Sequence, residues 1–222
     1  MIEFQNVTMK YPNGTKALDD FSLTIEDGDF VFIIGQSGAG KTTLSKLITR
    51  EEKCSSGLIR VNNFNLSRLR DKDVPRLRRT LGVVFQDFRL IENKTVYENV
   101  AFAMKVIGAS DRIVRKRVPY ILNLVDLADK ARRFPHELSG GEQQRAAIAR
   151  ALVNNPKVIL ADEPTGNVDP KMSLEIMELF RRINEQGTTI IVITHEHALV
   201  RYMKKRYVEI SHGCVINDRV GG

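Results

Sequence analysis

Gly35-Gln-Ser-Gly-Ala-Gly-Lys41-Thr42 satisfies every position of the pattern G-x-x-x-x-G-K-[ST]. The continuous apolar run Phe30 to Ile34 precedes it, and Leu44, Leu47 and Ile48 follow at helical spacing. Strand, glycine-rich turn and helix are the context this pattern needs to act as a phosphate cradle. Glycines let successive backbone N–H groups converge on phosphate oxygens without Cβ clashes. A helix starting near Lys41 adds free N–H groups and the positive end of its dipole. Lys41 is expected to reach the β- and γ-phosphates of ATP, and the Thr42 hydroxyl to ligate Mg²⁺. The expected phosphate contacts are thus Gly35, Gln36, Ser37, Gly38, Ala39, Gly40, Lys41, Thr42 and Thr43.

Downstream, Val158-Ile-Leu-Ala-Asp162-Glu163 is an apolar strand running into two acids. Such a strand places Asp162 at the carboxyl edge of the sheet, where ligands bind in open α/β folds. Asp162 is expected to hold Mg²⁺, directly or through water. Glu163 is expected to point the other way along the strand and to orient and deprotonate an attacking water. Leu138-Ser139-Gly140-Gly141-Glu142-Gln143-Gln144-Arg145 precedes a helix patterned by Ala146, Ile148, Ala149 and Leu152. Alone, Ser-Gly-Gly before a helix is a cap. With a phosphate loop about 100 residues earlier, it reads as a second anion site at a helix N-terminus.

Other stretches set the architecture. Leu81 to Phe85, Val158 to Ala161 and Thr189 to Ile193 are apolar runs of the kind buried on both faces of a parallel sheet. Ile2, Phe4 and Val7, then Phe21, Leu23 and Ile25, alternate with polar residues and predict antiparallel strands with one wet face. The last dozen residues look antiparallel too. Ile176, Leu179, Phe180 and Ile183 predict a helix, as do Val114, Val118, Ile121, Leu122 and Val125, with a kink or restart at Pro119. The expectation is an α/β fold with a mostly parallel core sheet, an antiparallel β subdomain and a helical subdomain over about 87–157, in one domain spanning 1–222.

Composition narrows the class. The chain has 222 residues, 42% hydrophobic, enough for a sizeable core. No apolar run approaches the roughly 18 residues of a bilayer span, and the N-terminus is unlike a signal peptide. Cys54 and Cys214 suggest neither a disulfide framework nor a zinc site. A reducing, cytoplasmic setting is expected. The net charge of +7 is local: residues 68–79, 112–133 and 201–206 hold 17 basic and four acidic groups. Such clusters suit a nucleic acid, an anionic membrane surface or plain solvated faces.

The motif at 138–145 closely resembles the signature of the ATP-binding cassette (ABC) ATPases, so the resemblance is to a P-loop NTPase of the ABC type. It extends across nearly the whole chain in family order. Tyr11 lies where an aromatic stacks on adenine. Gln86 matches the glutamine that senses Mg²⁺ and the attacking water, Asn167-Val168-Asp169 the loop at the dimer interface, and His195 the histidine that contacts the γ-phosphate. The resemblance implies an ATPase that pairs head to tail with a second copy when ATP is bound. The signature of one copy (Ser139, Gly140, Gly141, Glu142) and its Asp169 then close on the nucleotide of the other. The implied catalytic set is Glu163, His195 and Gln86, and the implied metal set Thr42, Gln86 and Asp162.

Tyr11-Pro12-Asn13-Gly14, Val84-Phe85-Gln86-Asp87-Phe88-Arg89-Leu90 and Thr165-Gly166-Asn167-Val168-Asp169-Pro170 are similar to the cell-division branch of that family. That branch implies a separate, FtsX-like membrane subunit, a place on the cytoplasmic face of the membrane, and regulation of cell-wall hydrolysis. Gln36 and His212-Gly213-Cys214 depart from its usual residues. The Thr-Gly-Asn-x-Asp-Pro loop also occurs in lipoprotein-release and macrolide-export ATPases, which remain an alternative. A nucleic-acid partner is not expected, because such family members usually carry coiled-coil insertions or paired cassettes. Phe88, Leu90 and Ile91, on a helical stretch within 85–97, are the expected apolar anchors for the membrane partner.

Overall fold

The computed structural model describes residues 1–221. Its strands are β1 (Ile2–Lys10), β2 (Lys16–Ile25), β3 (Phe30–Ile34), β4 (Ser56–Val61), β5 (Phe64–Asn65), β6 (Leu81–Val84), β7 (Val158–Asp162), β8 (Thr189–Ile193), β9 (Arg206–Ser211) and β10 (Cys214–Val220). The helices are α1 (Lys41–Ile48), α2 (Val74–Arg78), α3 (Val96–Val106), α4 (Asp111–Leu124), α5 (Gly140–Leu152), α6 (Pro170–Glu185) and α7 (His197–Met203).

The strands form two sheets. A six-stranded sheet runs β10-β9-β3-β8-β7-β6, with every pairing parallel except β9 with the terminal strand β10. β3 and β8 are buried along their whole length, the fate expected of apolar runs covered on both faces. A four-stranded antiparallel sheet runs β2-β1-β4-β5. β4 and β5 were not foreseen. In β4, Ile59 and Val61 alternate inward opposite β1, with Phe4 facing Ile59.

Two apolar clusters share the parallel sheet. On one face Phe30, Phe32 and Ile34 pack with α3, α4, α5 and α6. On the other, Val31 and Ile33 pack with α1 and the antiparallel sheet, around Phe4 and Phe21 in edge-to-face contact. α4 is continuous through Pro119 rather than restarting there. Pro119 and Arg115 lie on the exposed face, so the carbonyl freed at Arg115 faces water, while Val118, Ile121 and Leu122 are buried on the other side. The segment expected to be helical over 85–97 is instead a series of turns up to Thr95. There Phe88 and Arg89 both adopt left-handed φ values, 57° and 48°, which no helix contains. No helix among the described residues is long and apolar enough to cross a membrane.

Candidate functional site

Strand order explains the site. At the carboxyl ends of four neighbouring parallel strands, β3-β8-β7-β6, lie the phosphate loop, His195, Asp162-Glu163 and Gln86 in turn. The first three converge on one cavity of about 650 Å³, lined by Tyr11, Gly35 to Gly38, Gly40 to Thr43, Asp162, Glu163 and His195. Gln86 is three strands from β3, about 14 Å away at a strand spacing of about 4.8 Å, and does not line the cavity.

The loop itself is tightly built. A Cβ on Gly35 would sit 2.2 Å from the Ile210 carbonyl oxygen, and one on Gly40, φ 111°, 2.5 Å from that of Ala17. Only glycine lets the loop pass between β9 and β2. The His212-Gly213 turn braces it from behind: Gly213 N–H donates to the Ala39 carbonyl (3.1 Å), and Asp19 N–H to the Gly213 carbonyl (3.1 Å). The Lys41 ammonium lies across the loop, donating to the carbonyls of Gly35 (2.6 Å) and Gln36 (3.0 Å). Ala39 is buried beneath the loop and does not reach the cavity. Tyr11 shares a hydrogen bond with Thr43 between their hydroxyls (3.2 Å). Thr15 and Ala17 line the cavity beside it and were missed. The Pro12-Asn13-Gly14 turn was the signal, since it folds Thr15 back onto Tyr11 through a 2.9 Å backbone bond.

Asp162 ends β7, and its carboxyl is pushed above the usual carboxylate range. Burial is the main cause, the charge of Glu163 adds to it, and Lys41 opposes it. Glu163 is not a strand residue facing away. It has left-handed φ, 47°, with its N–H bonded to the Ile193 carbonyl (2.9 Å), and that reversal brings both carboxylates to the same cavity. Its Oε1 lies 2.8 Å from His195 Nδ1, while Oε2 is buried without a partner. An orphaned buried oxygen beside a phosphate cradle is a feature that bound water or ligand would satisfy.

The donor set fits a magnesium–nucleotide. Among the described residues no cluster of three or more His, Cys, Asp or Glu could hold a metal by itself. Mg²⁺ is usually held by one or two carboxylates together with substrate phosphates. The Thr42 hydroxyl and the Asp162 carboxylate, on one cavity wall with the loop, match that requirement.

The remaining expected residues lie outside the cavity. Ser139, Gly140, Gly141 and Glu142 begin α5 as a capping box. Glu142 N–H donates to Ser139 Oγ (3.3 Å), and the Glu142 carboxylate accepts from Ser139 N–H (2.8 Å). That backbone bond is the main reason the Glu142 carboxyl is held below its ordinary range. Asp169 caps α6, accepting from Met172 N–H (3.0 Å). The Gln86 carbonyl accepts from Asn167 (2.9 Å), and a Cβ on Gly166 would sit 2.7 Å from Gln86 Nε2. Gln86 therefore packs against the turn that leads from Glu163 to Asp169.

The family model for ABC transporters matches residues 18–166, and the chain belongs to that family. It is 51% identical over 222 residues to the cell division ATP-binding protein FtsE of Bacillus subtilis, covering all of this chain and 97% of that one. The identity to FtsE of Streptococcus pneumoniae serotype 2 is 53%, over all of this chain and 96% of that one. Among solved structures, the dimeric post-hydrolysis state of the ATP-binding cassette MJ0796, bound to ADP and phosphate, superposes with a TM-score of 0.88. It is 37% identical, and 99% of this chain and 98% of that one are covered.

Proposed function

We propose that the chain is the ATP-hydrolysing subunit of a bacterial cell-division ABC complex, working as a head-to-tail pair beneath a membrane-spanning partner. The convergence of phosphate loop, Asp162-Glu163 and His195 on one cavity carries this reading. Full-length likeness to two cell division ATP-binding proteins supports the cell-division role over lipoprotein or macrolide export.

The chain's own residues divide the work. Tyr11, Thr15 and Ala17 take the adenine end, and Gly35 to Gly38 with Gly40 to Thr43 bind the phosphates. Thr42 and Asp162 would hold Mg²⁺, which would supply neutralisation of charge on the phosphate oxygens. Glu163, oriented by His195, takes the proton of the attacking water. Ser139 and the Gly pair lie outside the cavity of their own chain, so in this reading they act on the nucleotide of the second copy.

The partner's place is a groove of about 600 Å³ between β6 and α3. Phe102, Val106 and Ile107 line it, and 43%, 64% and 37% of their surfaces are exposed, a patch that an apolar segment of a membrane subunit would cover. Of the three anchors expected from the sequence, Ile91 alone lines this groove. Leu90 packs into the helical core, and the Phe88 ring lies 3.9 Å from where a Gly140 Cβ would be. Phe102→Asp should weaken association with the membrane subunit by about 30-fold, the loss typical of an interface anchor worth about 2 kcal/mol. Unchanged co-purification of the pair from membranes would place the docking surface elsewhere.

A further inference from the structure

The turn after Gln86 is held from a distance. Phe88 and Arg89 are consecutive non-glycine residues in left-handed backbone, a conformation that persists only where surrounding structure enforces it. Phe88 N–H bonds back to the Phe85 carbonyl (3.2 Å), and the contact from outside the turn on these two residues comes from Arg150, in the last turn of α5. Its guanidinium donates to the Phe88 carbonyl (2.8 Å) and to the Arg89 carbonyl. Arg89 is pulled the same way, its guanidinium stacked 3.8 Å over the Phe85 ring and bonded to Asp87. Arg150 is half-buried, and among the described residues no carboxylate pairs with it, so those two carbonyls are its hydrogen-bond partners. It also lines the groove that holds Ile91 and Phe102. One side chain thus touches the groove, the C-terminal turn of the helix that Ser139 begins, and the turn that carries Gln86.

We infer that Arg150 is a positioning residue that clamps the turn carrying Gln86. The planar guanidinium suits the task, because its fork reaches two successive carbonyls at once and a lysine ammonium does not reproduce that geometry. The inference rests on the sensing role that the family resemblance implies for Gln86, which lies outside the cavity in this structure and acts at the nucleotide only when its turn moves.

The test uses the full-length chain with Mg-ATP. Arg150→Gln should lower kcat by about 10- to 100-fold, the range that a small misplacement of a reacting group produces. KM should be unchanged, since no phosphate or adenine contact is lost. Amide hydrogen exchange should quicken at residues 86–90 and stay at wild-type rates over 141–149. Arg150→Lys should fall between the two proteins on both readings. If the Gln variant fails to fold, the Lys variant decides: faster exchange confined to 86–90 supports the clamp. Wild-type exchange at 86–90, or exchange raised equally through α5, overturns it. Gln86→Ala in the same assay separates the two claims. Full turnover there would end the role of Gln86, while the exchange rates would still report whether Arg150 holds the turn.

Discussion

Glu163→Gln will bind ATP and accumulate as a stable dimer while hydrolysing it about 10²- to 10⁴-fold more slowly, the range a positioned general base supplies. The geometry gives this conservative change a large effect. Glu163 Oε1 is fixed by His195 at 2.8 Å, and Oε2 is buried without a partner in a residue that lines the nucleotide cavity. An amide of the same shape keeps the backbone reversal and most of the packing but has no basic oxygen to take a proton. Binding is left intact because the loop, Lys41 and Thr42 are untouched, so the ATP-bound state is trapped. Turnover assays with light scattering read both effects. Hydrolysis near the wild-type rate would remove Glu163 from its assigned role.

Lys41→Ala should abolish measurable hydrolysis and weaken ATP binding by at least about 10-fold. Hydrogen bonds to a charged group are worth roughly 1.5–3 kcal/mol, and each 1.4 kcal/mol is a factor of ten in affinity. Two losses add here. The phosphates lose a cation, and the loop loses the bonds to the Gly35 and Gln36 carbonyls that tie its two ends together. Titration with a fluorescent ATP analogue measures the change. Wild-type affinity would show that the phosphates do not lie along this loop.

The elements that were legible from residues alone are the local ones. β3, the phosphate loop and α1 follow from an apolar run, glycines and helical spacing within about 20 residues, and β8 falls where its run of β-branched residues places it. What escaped depends on partners far along the chain. β4 contains Gly57, which weakens its strand pattern, and it becomes a strand because β1, about 50 residues earlier, supplies its ladder. The 85–97 segment has apolar residues enough for a helix, but Phe88 and Arg89 are left-handed and their carbonyls bond to Arg150, about 60 residues later, instead of to a following helical turn. The direction of Glu163 was misjudged for a related reason. Period-two alternation holds only within a strand, and β7 ends at Asp162. Chemistry-bearing residues were readable because their types and spacings carry the mechanism. Their grouping was not, since it depends on the order β3-β8-β7-β6, which local pattern does not encode.

In the proposed head-to-tail pair, each working nucleotide site takes its phosphate loop from one chain and Ser139-Gly140-Gly141 from the other. Mixing two inactive variants, Lys41→Ala and Ser139→Arg, exposes that sharing. In a mixed head-to-tail pair one site carries both lesions and the other carries none. ATP turnover should therefore reappear on mixing, although neither variant hydrolyses ATP alone. A mixture no more active than the two separate variants would contradict the shared site and return the chemistry to a single chain.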